Sequence, residues 1–432
     1  MLDIRFIREN IQAVQQNAKN KGYKVDVNRL INLDKQRRDL QSQSDQLRMK
    51  RNENVAQVNG EKPSEESVAT GKNIKKQLVE LELLLKTVDD EFTTLLKTIP
   101  NMSMPDVPIG ASEDENIVEK TVGDIPKFDF EPRSHAEIAT DRGWLDKVRA
   151  AKVAGSRFAY IKGDMVRLQF ALVQFIMDKL TDQEFINGVI SDNKLNVSNK
   201  VFVPVLPPLM LRTELYDAMD RLEPREDRYK IEGDDLWLQG SAEHVLGSMH
   251  ADEIFEETDL PVRYIGYATS FRREAGTYGK DMDGLFRMHQ FDKLEMESLG
   301  LPESGIDEHL FMVAIQEKIM QLLGIPYQVI MKCTADIGKP NARGVDINAW
   351  LPGQNQYRET HTADYMTDYQ ARRLKTRVRR LAGNVELVHT NDATALPLSR
   401  GPIAIIENYQ TADNKILIPD VLRPYLSNRD FL

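Results

Sequence analysis

The chain has 432 residues, 41% hydrophobic and 29% charged, with a formal net charge of −10. That length exceeds one small core and fits a globular protein of two domains. The acidic balance argues against nucleic-acid binding over the whole surface, so a nucleic-acid partner needs a local basic face. No apolar run approaches a membrane span, and Met1–Asn10 lacks the apolar core of a secretory signal, so a cytoplasmic location is expected. One cysteine, Cys333, excludes an internal disulfide framework and a multi-cysteine zinc site; it reads as a small buried hydrophobe.

Two long helices are expected between about residues 27 and 97. Ile74, Leu78, Leu81, Leu85, Val88, Phe92 and Leu95 alternate steps of four and three, the seam of a coiled coil. The first helix offers Leu33, Leu40 and Leu47, but its alternate seam positions are Arg37, Ser44 and Arg51. Between the helices, Asn59-Gly60-Glu61-Lys62-Pro63-Ser64 stops one, and Ser64 with Ser67 offers caps for the next. A short connection makes the pair antiparallel. Exposed Arg48, Arg51 and Lys72 suit phosphate contacts, although interleaved acids fit a plain solvated face as well. Pro100, Pro105, Pro108 and Gly110 then form a stiff linker, which places the domain boundary near residues 105–106.

Beyond the linker, strands are expected at Arg157–Ile161, Phe202–Leu206, Leu236–Leu238, Ala268–Arg272, Leu285–Leu294, Tyr327–Met331, Val345–Trp350 and Ile403–Glu407. Helices are expected at Met165–Leu180, Glu308–Leu323 and Thr367–Leu381. Strands without regular βαβ alternation point to an antiparallel sheet flanked by helices. Neither G-x-G-x-x-G nor a P-loop is present, so arginines must hold any phosphate.

The densest segment is Ser270–Glu297. Gly276, Gly279 and Gly284, with Lys280, Asp281 and Asp283, interrupt it and make a hairpin with a long loop. Its strands bring Arg272, Glu274, Phe291 and Glu295 to one surface. A guanidinium fork, carboxylates and an aromatic face suit a nucleotide beside an amine. An ordinary charged hairpin with an ion pair satisfies the same spacing.

At these residues the chain resembles the seryl-tRNA synthetases, a class II family, in their bacterial form without a zinc site. Phe271-Arg272-x-Glu274 and His289-Gln290-Phe291-x-Lys293-x-Glu295 are similar to the family's second motif. Gly240-Ser241-Ala242-Glu243 resembles its Thr-Ala-Glu loop, and Trp350-Leu351-Pro352-Gly353-Gln354 its Trp-Leu-Pro-Gly-Gln run. Asp392–Arg400 with Ile403–Gln410 resembles its third motif, and the helix and strand closing at Pro207-Pro208 its first.

The resemblance implies an α+β fold: an antiparallel two-helix coiled-coil arm in residues 1–105, and a class II synthetase domain with a mainly antiparallel sheet in 106–432. It implies a ligase that joins L-serine to ATP as seryl-adenylate, then to the 3′-terminal adenosine of tRNA-Ser; tRNA-Sec is a further candidate. The implied catalytic residues are Arg272 and Arg400. Serine would meet Ser241, Ala242, Glu243, Arg272, Glu295 and Thr394. ATP would meet Arg272, Arg273, Glu274, Met288, Phe291, Glu359, Thr360, His361, Thr362 and Arg400, with Arg400 facing Phe291 across the adenine. Glu359 and Thr362 would hold Mg²⁺, and no zinc is expected. Arg48, Arg51 and Lys72 would contact the long variable arm of the tRNA, and the protein would be a homodimer with no membrane contact. Two segments depart from the pattern: Glu359-Thr360-His361-Thr362-Ala363-Asp364 for Glu-Ile-Ser-Ser-Cys-Ser, and Asp392-Ala393-Thr394-Ala395 for Asn-Gly-Ser-Gly.

Two other readings compete. A paralogue charging a carrier protein would lack the long hairpin, and a degenerate RNA-binding module would be expected to lose Arg272, Glu274, Glu295 or Arg400. This chain keeps all of these features.

Overall fold

The computed structural model describes residues 1–56, 64–274 and 284–432. They divide into two compact units, Met1–Met102 and Ser103–Leu432.

In the first unit, short helices α1 (Ile4–Glu9) and α2 (Ile11–Asn20) precede the long α3 (Val27–Ala56) and α4 (Glu65–Leu96). At 1.5 Å per residue the long pair runs roughly 45 Å. Ile74, Leu78, Val88 and Phe92 are buried along the α4 seam. The polar half of the α3 seam is matched by specific partners. Arg37 lies 4.3 Å from the Phe92 ring centroid and reaches Asp89 at 3.5 Å. Near the tip, Asn54 Nδ2 donates to the Ser67 carbonyl at 3.0 Å. Ser64 caps α4 by accepting from the Ser67 amide, with Glu65 and Glu66 in the positive first turn. Ser67 is not a cap but a helical residue. The expected turn from Asn59 lies, apart from Ser64, outside the described residues.

In the second unit eight described strands form one sheet. They are β1 (Ile117–Val122), β2 (Val203–Val205), β3 (Val262–Phe271), β4 (Gln290–Gly300), β5 (Tyr327–Met331), β6 (Arg343–Leu351), β7 (Gln356–Thr367) and β8 (His389–Pro397). The spatial order is β1-β5-β6-β7-β8-β4-β3-β2, antiparallel except for the β2–β3 edge pair. Helices α5 (Asp164–Thr181), α6 (Glu243–Leu246), α7 (Gly305–Leu322) and α8 (Arg400–Asn408) flank it.

Alternation divides the sheet into two faces. Leu294, Met296, Ile347, Ala363 and Ala393 point into the main core, with Phe175 of α5, Ile315 of α7 and Ile406 of α8. The other face carries Lys293, Glu295, Glu297, Asp364, Asp392 and Thr394. Register shifts fall between Val118/Lys120, Ile347/Asn348, Tyr365/Thr367 and Thr394/Leu396. Gln316 of α7 donates to the carbonyls of Thr362 and Thr394 at 2.8 and 2.9 Å, tying the Thr394/Leu396 bulge to the core.

Several expected elements change. The hairpin exists, but its strands end at Phe271 and begin at Gln290, so Leu285–Met288 lie outside β4. Beyond Leu294 the strand continues through glutamates, which no hydrophobic signal marks. Ile403–Glu407 is helix, not strand: packing on all sides overrides the β-preference of isoleucine. The helix expected over Thr367–Leu381 shrinks to Tyr369–Leu374, because left-handed Lys375 ends it and Arg377–Arg379 is a strand. Arg157 is left-handed at φ 62°, leaving only Tyr160–Ile161 extended there. Strands β7 and β8 had no counterpart in the sequence reading. Cys333 is buried as expected and unpaired.

One buried ion pair ties β3 to α7. Arg263 donates to both oxygens of Glu308 at 2.8 and 2.6 Å, and to the Lys200 carbonyl at 2.6 Å. Ser298 donates to the same carboxylate at 2.9 Å. Removing one partner strands a charge in the core. Glu308→Ala should therefore lower the stability of this unit by about 3–5 kcal/mol, read from urea unfolding.

Candidate active site

The site is the polar face of β4, β7 and β8 with α6 laid over it. The helix can approach because β3 has a glycine there: a Cβ on Gly266 would come within 2.7 Å of Leu246 Cδ1. This seats Ser241, Ala242 and Glu243, all buried, above β4.

Lys293 is the hub. Its ammonium donates to Ser241 Oγ at 2.7 Å, pairs tightly with Glu295 and lies 3.7 Å from Glu243. Glu295 sits opposite Thr394 across the β4–β8 pair. One cation thus serves two carboxylates. Burial opposes ionisation of Glu243, but Lys293, His244 and Arg221 outweigh it and hold the carboxyl well below its usual range. Burial wins at Glu295, whose carboxyl is pushed up to about 8 even beside the ammonium.

A second group lies around two arginines. Arg272 Nε donates to the Gly240 carbonyl at 2.8 Å, and its guanidinium stands 5.3 Å from the Phe291 ring centroid. Arg400 donates to Glu359 Oε1 at 2.8 Å and lies 4.7 Å from the centroid of Phe286. Arg358 sits 4.2 Å from the same ring. The ring beneath Arg400 is therefore Phe286, while Phe291 carries Arg272.

Other expected residues have these surroundings within the protein. Arg273 stacks on Tyr229 at 5.6 Å, and Glu274 pairs with Arg287 at 3.4 Å. Met288 is buried. His361 pairs with Ile347 across the strands and shares its core-side face, turned from Thr362 and Glu359. Its Nδ1 bonds Thr360 Oγ1 at 2.8 Å, and burial lowers its pKa to about 3, leaving it neutral. Thr360 in turn donates to the Ile347 carbonyl at 2.9 Å.

The Glu359 carboxylate and Thr362 hydroxyl lie on the site face. Thr362 Oγ1 is buried without a hydrogen-bond partner, and Asp346 stands opposite it across β6–β7. A partnerless hydroxyl and a carboxylate held by Arg400 are hard oxygen donors that fit a magnesium ion completed by phosphates and water. In the arm, Arg48 bridges the two helices to Glu82 at 2.9 Å, while Arg51 and Lys72 are exposed. Exposed pairs of that kind are worth little.

Sequence reasoning overlooked Lys293, Phe286 and Arg358. Lys293 carried a signal, since it alternates with Phe291 and Glu295 along one strand face.

Residues 227–409 match the tRNA synthetase class II core domain (G, H, P, S and T), and residues 1–103 the seryl-tRNA synthetase N-terminal domain. The serine--tRNA ligase of Dictyoglomus turgidum is 38% identical, covering 99% of this chain and 98% of the relative. The chain belongs to the seryl-tRNA synthetase family. The corresponding ligase of a Geobacter species is 37% identical over 100% of this chain and 99% of its own. Seryl-tRNA synthetase from Pyrococcus horikoshii, solved with ATP, superposes with a TM-score of 0.88 at 34% identity, covering 99% and 98% of the chains. The cytoplasmic enzyme of Naegleria fowleri, solved with AMP, gives 0.82 at 27% identity over 100% and 98%. Among the described residues no helix is long and apolar enough to cross a membrane.

The state of Glu295 is testable through stability. Its folded pKa of about 8 exceeds the unfolded value of 4.5, so the folded state holds a proton that the unfolded state has lost between those values. Stability from this group is full below pH 4.5 and falls as pH rises to about 8. Glu295→Gln lacks the titration. Its melting temperature should gain on the parent between pH 5 and 8, by an equivalent on the order of 3 kcal/mol, with no gain at pH 4.

Proposed function

We propose that this site carries out both steps of serine–tRNA ligation, with the residues below in named roles. The observation that carries the reading is the pairing of two groups on one sheet face. The Glu243–Lys293–Glu295 cluster suits an amino acid's ammonium and hydroxyl. The Arg272–Phe291 pair, fixed by the Gly240 carbonyl, suits an adenine and an α-phosphate.

In the first step a serine carboxylate oxygen attacks the α-phosphorus of ATP. A mixed-anhydride bond forms, the bond to the β,γ-pyrophosphate breaks, and pyrophosphate leaves. Arg272 would bridge the carboxylate and the α-phosphate, and Arg400 would exchange Glu359 for the γ-phosphate. Catalysis by positioning and charge neutralisation suffices, without a general base. Glu359 and Thr362 would hold Mg²⁺, which supplies neutralising charge to the phosphates. In the second step the 3′-hydroxyl of the terminal tRNA adenosine takes the seryl group and AMP leaves. Glu243 with Ser241 receives the ammonium, and Glu295 with Thr394 receives the serine hydroxyl.

The arm, through Arg48, Arg51 and Lys72, holds the long variable arm of tRNA-Ser by its phosphates. A homodimer would form on α5 and β2, where Phe170, Val203 and Leu206 expose apolar surface.

Arg272→Ala should cut serine-dependent ATP–pyrophosphate exchange at least roughly 100-fold with an unchanged melting temperature. Near-normal exchange overturns its role. Deleting residues 28–97 should spare exchange and abolish transfer to tRNA-Ser; undiminished charging would remove the arm from tRNA recognition. Thr394→Ala should raise the serine KM and erode rejection of alanine, which a hydroxyl-reading pocket can exclude by up to about 10⁴-fold. Unchanged selectivity in exchange kinetics would assign the hydroxyl to another residue.

A further inference from the structure

One step along the sheet from the Glu295–Thr394 pair lies a second, fully acidic row. Glu297 faces Asp392 across β4–β8, and Asp392 faces Asp364 across β7–β8. Like charges directly opposite one another are destabilising. All three residues are buried, at 0%, 3% and 7% exposure. Both oxygens of Glu297 and Oδ2 of Asp392 have no hydrogen-bond partner. Nor is there slack above Glu297, since a Cβ on Gly247 would meet its Oε1 at 3.2 Å and Met219 Cε at 2.6 Å. Burial and the neighbouring carboxylates push both carboxyls up, and at Asp392 the Arg221 guanidinium is the group that opposes the rise and favours the charged form.

Arg221 is the guanidinium that faces this row. Arg221 follows the short helix Thr213–Ala218 and reaches Asp392 at 3.6 Å and Asp364 at 3.9 Å. It also donates to Asn341 Oδ1 at 3.1 Å, which fixes the guanidinium from a third side. The neighbouring Asp220 is clamped by Lys339 at 2.7 Å and Arg373 at 2.8 Å, so the turn presenting Arg221 is itself anchored. Asp392 stands where the family pattern has an asparagine. Its charge is met by an arginine that no family motif quoted above contains.

We propose that Arg221 is a positioning residue of the amino-acid pocket: it answers the charge of Asp392 and so holds β8 where Thr394, two residues on, faces Glu295. On this account Asp392 points to Arg221 rather than to the substrate. The proposal rests on the serine-activation reading for its kinetic consequence, but not for the Arg221–Asp392 coupling itself.

The test compares the parent, Arg221→Gln, Asp392→Asn and the double variant in the full chain, by pyrophosphate exchange and by thermal melting. Arg221→Gln should raise the serine KM at least roughly tenfold, with the ATP KM within about threefold. Adding Asp392→Asn should restore most of the serine KM, since asparagine needs no counter-ion, and the melting losses should be clearly non-additive. A merely structural Arg221 would shift both KM values together and show no rescue. Parent-like serine KM in Arg221→Gln, or a double variant no better than the single, overturns the proposal. Should Arg221→Gln fail to fold, a folded double variant is the expected rescue, and an unfolded one beside a folded Asp392→Asn overturns it. If the parent shows no serine-dependent exchange, the activation reading has failed, and additive melting losses would separately overturn the coupling.

Discussion

Everything in the site hangs on the Lys293 ammonium, shared between a carboxylate on β4 and another on α6. A buried ammonium with one partner would make an ordinary ion pair. With two, one carboxylate stays ionised and the other is driven toward its neutral form, which leaves a hydrogen-bonding group of adjustable charge beside Thr394. Strand alternation makes the arrangement possible. Residues 291, 293, 295 and 297 line one face while 294 and 296 fill the core, so the most charged strand in the sheet is also among the most buried.

The same economy of charge recurs on the core side. Arg263 and Glu308 satisfy each other with a bidentate pair, and Ser298 and the Lys200 carbonyl take up the remaining hydrogen-bonding capacity. That pair is complete and structural. The pocket is incomplete by contrast, with buried oxygens of Glu243, Thr362, Asp392 and Glu297 that make no hydrogen bond. Incomplete polar networks cost stability and concentrate where a substrate or cation supplies the missing partner.

Legibility in the sequence followed the strength of the local signal. The α4 seam and its Ser64 cap were readable because a heptad and a capping serine are local. The hairpin was readable as a hairpin, but its register was not: β4 runs on through Glu295 and Glu297, whose burial depends on partners distant in sequence. Ile403–Ile406 read as strand because short apolar runs look alike in either state. His361 was assigned to the nucleotide by its neighbours in sequence, but the bulge at Ile347/Asn348 leaves it on the core face. Arg221 carried no motif; only the fold brings it to Asp392.

The central claim is that this pocket selects serine through its ammonium and hydroxyl together. The most direct measurement is ATP–pyrophosphate exchange by the intact protein, run separately with serine and with alanine, threonine, cysteine and glycine. The account predicts strong exchange with serine and, for alanine, a kcat/KM lower by roughly three to four orders of magnitude. Equal or greater exchange with any of the other amino acids, or none with serine, would contradict it.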